Sequence, residues 1–233
     1  MIFMKRFIIA VVFISLLACI PARAAPAGTF RDNFDDGDLV GWKTNVATGI
    51  SIVDGELRFK GSDSLIVKLG EPLWKEYSLE LRVKIAEYVN GGWFSIRILQ
   101  GGTGDPSGYY ELRLIQDLTV ASLYVNDLCM ESFREPAELK ENAWHSVKIT
   151  PSNGRMSLYL DDSPIAHLTD MGLSGYMDMC TTKGTHVYVD DVIISGPNIP
   201  DTGPSGFNSF AVAARSSSVI TWGRIKRKRR FVQ

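Results

Sequence analysis

The sequence predicts an all-β protein built as a two-sheet antiparallel β-sandwich. Three observations carry this reading. Many short segments alternate apolar and polar residues with period two, the mark of a strand with one face in a core. Turn-forming clusters, "NGG", "GGTGDPSG", "PSNG", "DDSP" and "TTKG", fall between those segments. No stretch reads as a long amphipathic helix, although "EPAELKENAW" has the composition for a single turn, so strands follow strands without the βα alternation of a parallel sheet.

In chain order, the pattern has period two from Ser51 onward, and "YSLELRVKI" sets Leu79, Leu81, Val83 and Ile85 against Glu80, Arg82 and Lys84. "GWFSIRIL" sets Phe94, Ile96 and Ile98 against Trp93, Ser95 and Arg97, and "GYYELRLI" sets Tyr110, Leu112 and Leu114 against Tyr109, Glu111 and Arg113. "ASLYVN", "HSVKIT", "RMSLYLDD" and "HVYVDDVIIS" complete the series. The body ends near Ser195, followed by a Pro/Gly linker over 196–206 and a tail over 207–233.

The 233 residues are 45% hydrophobic and 22% charged, ordinary for a soluble domain with material for one core plus appendages. The net charge of −1 hides an asymmetry: Ala25 to Ile199 holds 15 Lys/Arg against 25 Asp/Glu, while Pro200 to Gln233 holds 7 against 1. An acidic body argues against duplex nucleic acid as a partner, since phosphate contacts need a positive face. The tail's "RIKRKRR", Arg224 to Arg230, follows Val219, Ile220 and Trp222, a combination suited to peripheral contact with an anionic envelope surface and too short to span a bilayer.

Residues 1–24 read as an export signal: Lys5 and Arg6, then an apolar run from Phe7 to Ile20, then small residues before a cleavage point after Ala24. "LLAC" supports a second reading, a lipobox that would acylate Cys19. Both send residues 25 onward out of the cytoplasm, to the periplasm or beyond. Cys129 and Cys180 then remain, either bridged or as two separate thiols.

Three separated pieces, "FRDNFDDGDLVGW", "IVDGELRF" and "HVYVDDVII", resemble the concanavalin A-like lectin and glucanase jelly rolls, over roughly Thr29 to Ser195. Laminin-G-like domains and bacterial domains of the 3-keto-disaccharide hydrolase type share this order of pieces. The resemblance implies a jelly roll with its first and last strands adjacent. From the family 16 glucanases it also implies a structural calcium at Asn33, Gly55 and Asp190, with main-chain oxygens at the first two and a carboxylate at the third. The competing reading of "DDGD" is a turn whose Asx side chains bond their own backbone.

The glucanases of this fold carry a nucleophile and an acid/base on one strand in an E-x-D-x-x-E pattern, and this chain lacks it. His145, His167 and His186 stand apart, without a metal-ligand spacing. Period-two parity instead puts Trp93, Arg97, Tyr109, Glu111 and Arg113 on one sheet face, the concave one in this fold. Aromatic faces, planar donors and an acceptor suit a sugar ring; cross-strand ion pairs on a solvated sheet would use the same residues. The sequence thus predicts an exported, non-catalytic carbohydrate-binding module, with a glycoside hydrolase of the 3-keto-disaccharide type as the alternative.

Overall fold

The computed structural model describes residues 27–201 except 62–63, 90, 102–107, 117, 127, 137, 183 and 198. The signal segment 1–24 with Cys19, the tail 207–233 with Arg224 to Arg230, and the interior of the "GGTGDPSG" loop lie outside the described residues.

Short alternating segments become strands wherever a tight turn can reverse the chain. The described residues form β1 (Ala27–Asp32), β2 (Lys43–Thr44), β3 (Ile50–Val53), β4 (Glu56–Phe59), β5 (Leu65–Leu69), β6 (Ser78–Glu87), β7 (Trp93–Gly101) and β8 (Gly108–Ile115). They continue with β9 (Leu118–Val125), β10 (Leu128–Pro136), β11 (Trp144–Ser152), β12 (Arg155–Leu160), β13 (Ser163–Thr169), β14 (Gly175–Thr181) and β15 (His186–Pro197). Asp54–Gly55, Asn153–Gly154 and Asp161–Asp162 are consecutive left-handed pairs, with φ from 48° to 72°. Each closes a two-residue hairpin, between β3 and β4, β11 and β12, and β12 and β13. No helix occurs among the described residues; of the "EPAELKENAW" segment, Glu135 and Pro136 end β10 and Glu141 and Asn142 form a turn before β11.

All pairings are antiparallel and sort the strands into two sheets. An eight-stranded sheet runs β13-β12-β11-β6-β15-β4-β3, with β1 also on β15, and a seven-stranded sheet runs β10-β9-β8-β7-β14-β5-β2. This is the two-sheet jelly-roll sandwich that the sequence predicts, with the first and last strands paired from Ala27↔Pro197 to Asp32↔Val192.

The alternation lands as expected. Leu79, Leu81, Val83 and Ile85 of β6 are buried, and so are Phe94, Ile96 and Ile98 of β7 and Tyr110, Leu112 and Leu114 of β8. The two sheets meet directly where Phe59 of β4 packs edge-on against Phe94 of β7, with ring centroids 5.9 Å apart. Each fully buried side chain of this kind contributes about 1.5–3 kcal/mol.

The acidic N-terminal stretch divides between core and loop. Asp32 is buried, accepting the Phe34 N–H at 2.8 Å through one oxygen and the Trp42 indole N–H at 2.7 Å through the other. Burial pushes its carboxyl above the usual range, against the downward pull of those two bonds. Asp36 and Asp38 accept the N–H groups two residues on, the Asx pattern.

Cys129 is exposed and Cys180 buried, and both are free thiols, so the choice left open by the sequence falls on separate thiols. His145 Nδ1 lies 2.6 Å from Asp161, whose other oxygen accepts the Ser146 N–H; the histidine ties a hairpin turn to the start of β11.

Candidate functional site

The face of the seven-stranded sheet turned away from the core carries an in-register row of polar residues. Lys68 of β5 pairs with Asp178 of β14, Asp178 with Arg97 of β7, Arg97 with Glu111 of β8, Glu111 with Ser122 of β9, and Ser122 with Ser132 of β10. Side chains directly opposite in antiparallel strands share a face, so the whole row points one way. Trp93, Arg97, Tyr109, Glu111 and Arg113 all stand on this face, as parity predicts.

Two ion pairs organise the centre. Arg97 donates its Nε–H to Asp178 Oδ1 at 2.7 Å, and Arg113 donates through Nη2 to Glu111 Oε2 at 2.8 Å. Both carboxylates are nearly sealed, Asp178 at 2% and Glu111 at 4% exposure, while the arginine side chains keep 20% and 31%. Burial pushes the Asp178 carboxyl up although Arg97 pulls it down; burial is also the largest influence on Arg97 and works against its charge, but Asp178 and the neighbouring groups, Glu111 among them, together outweigh it. Removing either acid leaves a guanidinium without its counter-charge in a partly desolvated layer.

Aromatic rings flank the pairs. The Arg113 guanidinium lies 4.6 Å from the centre of the Trp93 ring, and that of Arg97 lies 5.7 Å from Tyr109. Tyr109 stacks on Tyr124 at 4.8 Å with an 18° interplanar angle. Ser95 Oγ is 3.0 Å from Cys180 Sγ beside the row, and burial pushes that thiol's pKa up.

A backbone irregularity sits at the row. Arg97 pairs with Asp178 but Gln100 with Tyr176, so β7 carries an extra residue there. Leu99 adopts φ 58°, a costly conformation for a bulky side chain, and its N–H is satisfied by the Tyr77 hydroxyl at 3.0 Å. The buried Tyr77 thus fixes the bulge two residues from Arg97.

Asp178 escapes a sequence search because "GYMDMCT" is buried on both faces and offers little polar contrast. The signal is present but weak: Tyr176, Asp178 and Cys180 alternate with the core residues Met177 and Met179.

The three residues expected to hold calcium converge at another corner. On one edge β15 pairs with β4 through Val189↔Leu57 and then with β1 from Val192↔Asp32. Asp190 therefore lies where the partner changes, beside Gly55 just before β4 and Asn33 just after β1. Asp190 is buried, and a Cβ at Gly55 would stand 2.7 Å from Asp35 Oδ1, so a second carboxylate borders the corner. Backbone carbonyls and carboxylates are the hard oxygen donors that Ca²⁺ takes, and these residues fit it. Arg82 is the cation already there, 3.3 Å from Asp191 and 3.9 Å from Asp190. No group of three or more His, Cys, Asp and Glu residues with metal-binding geometry occurs among the described residues.

The fold is shared by solved carbohydrate-active jelly rolls. A Bacillus licheniformis β-glucanase superposes with TM-score 0.58 at 15% identity, covering 72% of this chain and 97% of that one. SCLam, a non-specific endo-β-1,3(4)-glucanase from family GH16, gives TM-score 0.62 at 13% identity over 75% and 93% of the two chains. The carbohydrate binding module CBM66 from Bacillus subtilis gives 0.50 at 14% over 68% and 98%. At such identities the likeness shows the fold alone. The chain belongs to the family of 3-keto-α-glucoside-1,2-lyase-like domains, whose model matches residues 29–191. No curated protein matches it.

Proposed function

We propose that the outer face of the seven-stranded sheet binds carbohydrate without turning it over, and that the protein is an exported envelope or secreted module. The observation that carries this is the row Asp178–Arg97–Glu111 with Trp93 and Tyr109 beside it. Fixed guanidinium donors and aromatic rings on a rigid sheet match sugar hydroxyls and C–H faces. Both acids are engaged by arginines, which suits holding a ligand better than shuttling protons. Glycan-array screening followed by calorimetry tests it: Trp93→Ala or Arg97→Ala should weaken binding by about 1–3 kcal/mol. Absence of saccharide binding by the folded protein would refute the reading.

A second reading, a lyase or hydrolase of the family's type, is favoured by one observation. Glu111 and Asp178 are two buried carboxylates in one row with a single strand between them, and burial raises the carboxyl of Asp178 as an acid catalyst requires. Product release from 3-keto-glucosides that disappears in both Glu111→Gln and Asp178→Asn would establish it.

For the corner at Asn33, Gly55 and Asp190 we propose a structural Ca²⁺ that ties the first strand to the last. The support is the convergence of those residues at the β4-to-β1 changeover of β15.

A further inference from the structure

The charge on the proposed binding face runs against the charge of the protein. Ala25 to Ile199 has a balance of −10, from 15 Lys/Arg against 25 Asp/Glu. Yet on the described part of this face Lys43, Lys68, Arg97, Arg113 and Arg134 stand against only Glu111 and Asp178. Arg97 and Arg113 are matched by those two acids, so the surplus lies at the ends of the row.

At one end, Lys43 of β2 and Lys68 of β5 are direct cross-strand partners. Like charges opposite one another repel, and sheets ordinarily avoid the pairing. Neither lysine makes an ion-pair contact among the described residues, and Asp178, the cross-strand neighbour of Lys68 on its other side, is committed to Arg97. The Lys68 ammonium is held 3.7 Å from the centre of the Tyr176 ring, which keeps it on this face. At the other end, Arg134 of β10 is exposed opposite Val120, and it too lacks a carboxylate partner among the described residues. A saccharide crossing the sheet would meet two lysines, then neutralised pairs flanked by aromatic rings, then an arginine.

From this arrangement we propose that the ligand of the face is an acidic saccharide, with a carboxylate or sulfate ester seated over Lys43 and Lys68. The inference rests on the carbohydrate-binding reading and names its substrate class. An anionic group there relieves the lysine–lysine repulsion, which a neutral sugar cannot do. The two aromatic-flanked ion pairs supply the ring contacts common to both kinds of sugar.

The test is calorimetry on the full chain with three oligosaccharides of equal length: an oligogalacturonate, a chondroitin sulfate oligomer and a neutral β-glucan, each at low and high salt. The expected result is affinity about tenfold higher for at least one acidic ligand, falling toward the neutral value as salt screens it. The double variant Lys43→Gln/Lys68→Gln should lose most of that preference, read as the ratio of acidic to neutral affinity on the same preparation. Arg134→Gln should lose a smaller part. Whichever acidic ligand binds better names the acidic group. Neutral glucan bound as tightly as both acidic ligands would overturn the proposal and leave the carbohydrate reading standing. So would a preference retained in full by all variants, which would assign polyanion capture to the basic tail. Failure of every saccharide to bind would overturn both.

Discussion

Arg97 and Asp178 stand 81 positions apart in the chain and meet at 2.7 Å on neighbouring strands, one guanidinium against one nearly sealed carboxylate. The contact locks β7 to β14 on the polar side, while Ile96 and Met179 do so on the core side. It also fixes the planar donor group in the middle of the proposed binding row.

Asp178→Asn should therefore cost both stability and ligand. The amide keeps the shape and loses the charge, leaving Arg97 without its counter-ion. A loss of about 2 kcal/mol is expected, below the range for a fully sealed pair because Arg97 keeps solvent access. Urea unfolding measures it, and a midpoint equal to wild type would contradict the role assigned to the pair.

Tyr77→Phe removes one oxygen and orphans the Leu99 N–H at the bulge. Stability should fall by about 1–3 kcal/mol, the cost of an unsatisfied buried donor. In a chain of this size that is roughly 2–4 °C in Tm per kcal/mol. Affinity for the saccharide should fall as well, because the bulge sets the direction of Arg97. Calorimetric scanning and binding on the same preparation check both effects.

Alkaline pH should destabilise the fold. Burial raises the pKa of the Cys180 thiol above 9.0 and those of the Tyr77 and Tyr110 hydroxyls above 10.0. Above those ordinary values the unfolded chain releases protons that the native state still holds, so stability falls as pH rises. Urea midpoints should drop steadily from about pH 9 to pH 11; a flat profile would count against the native state holding these groups protonated.

Calcium at the β1–β15 corner should raise Tm at millimolar concentration, and EGTA should reverse the gain. Asp190→Ala should abolish the difference between the two conditions. A wild-type Tm indifferent to both additions would remove the metal from the account and leave the corner to Arg82 and its two aspartates.

What the sequence discloses depends on how a strand is exposed. β6, β7 and β8 have one apolar and one polar face, and the site residues Trp93, Arg97, Tyr109, Glu111 and Arg113 fall on the polar side by counting alone. β14 is covered on both faces, so its alternation is muted and Asp178 stays hidden. β10 is exposed along nearly its whole length, with Leu128, Met130 and Phe133 open to solvent, and shows no clean pattern either. The partner of Arg97 is illegible for a different reason: it is set by strand order, with β14 inserted beside β7, and periodicity carries no strand order, whereas Glu111 and Arg113 pair within the set the sequence offered. The turn at Asp161–Asp162 is legible as a turn, but its bond to His145 is not.

The position of β15 bears on when this protein can exist as a folded object. It is the last strand of the described residues, yet it separates β6 from β4 and also holds β1. Until residues 186–197 are available, the β13-β12-β11-β6 half of the sheet has no seam to β4 and β3, and the first strand has nothing to pair with. Nearly every closing contact spans a long stretch of chain, which slows folding and defers it. A nascent chain therefore stays open and threadable until residues 186–197 have been made, and a truncation before His186 yields an unsealed half rather than a smaller domain.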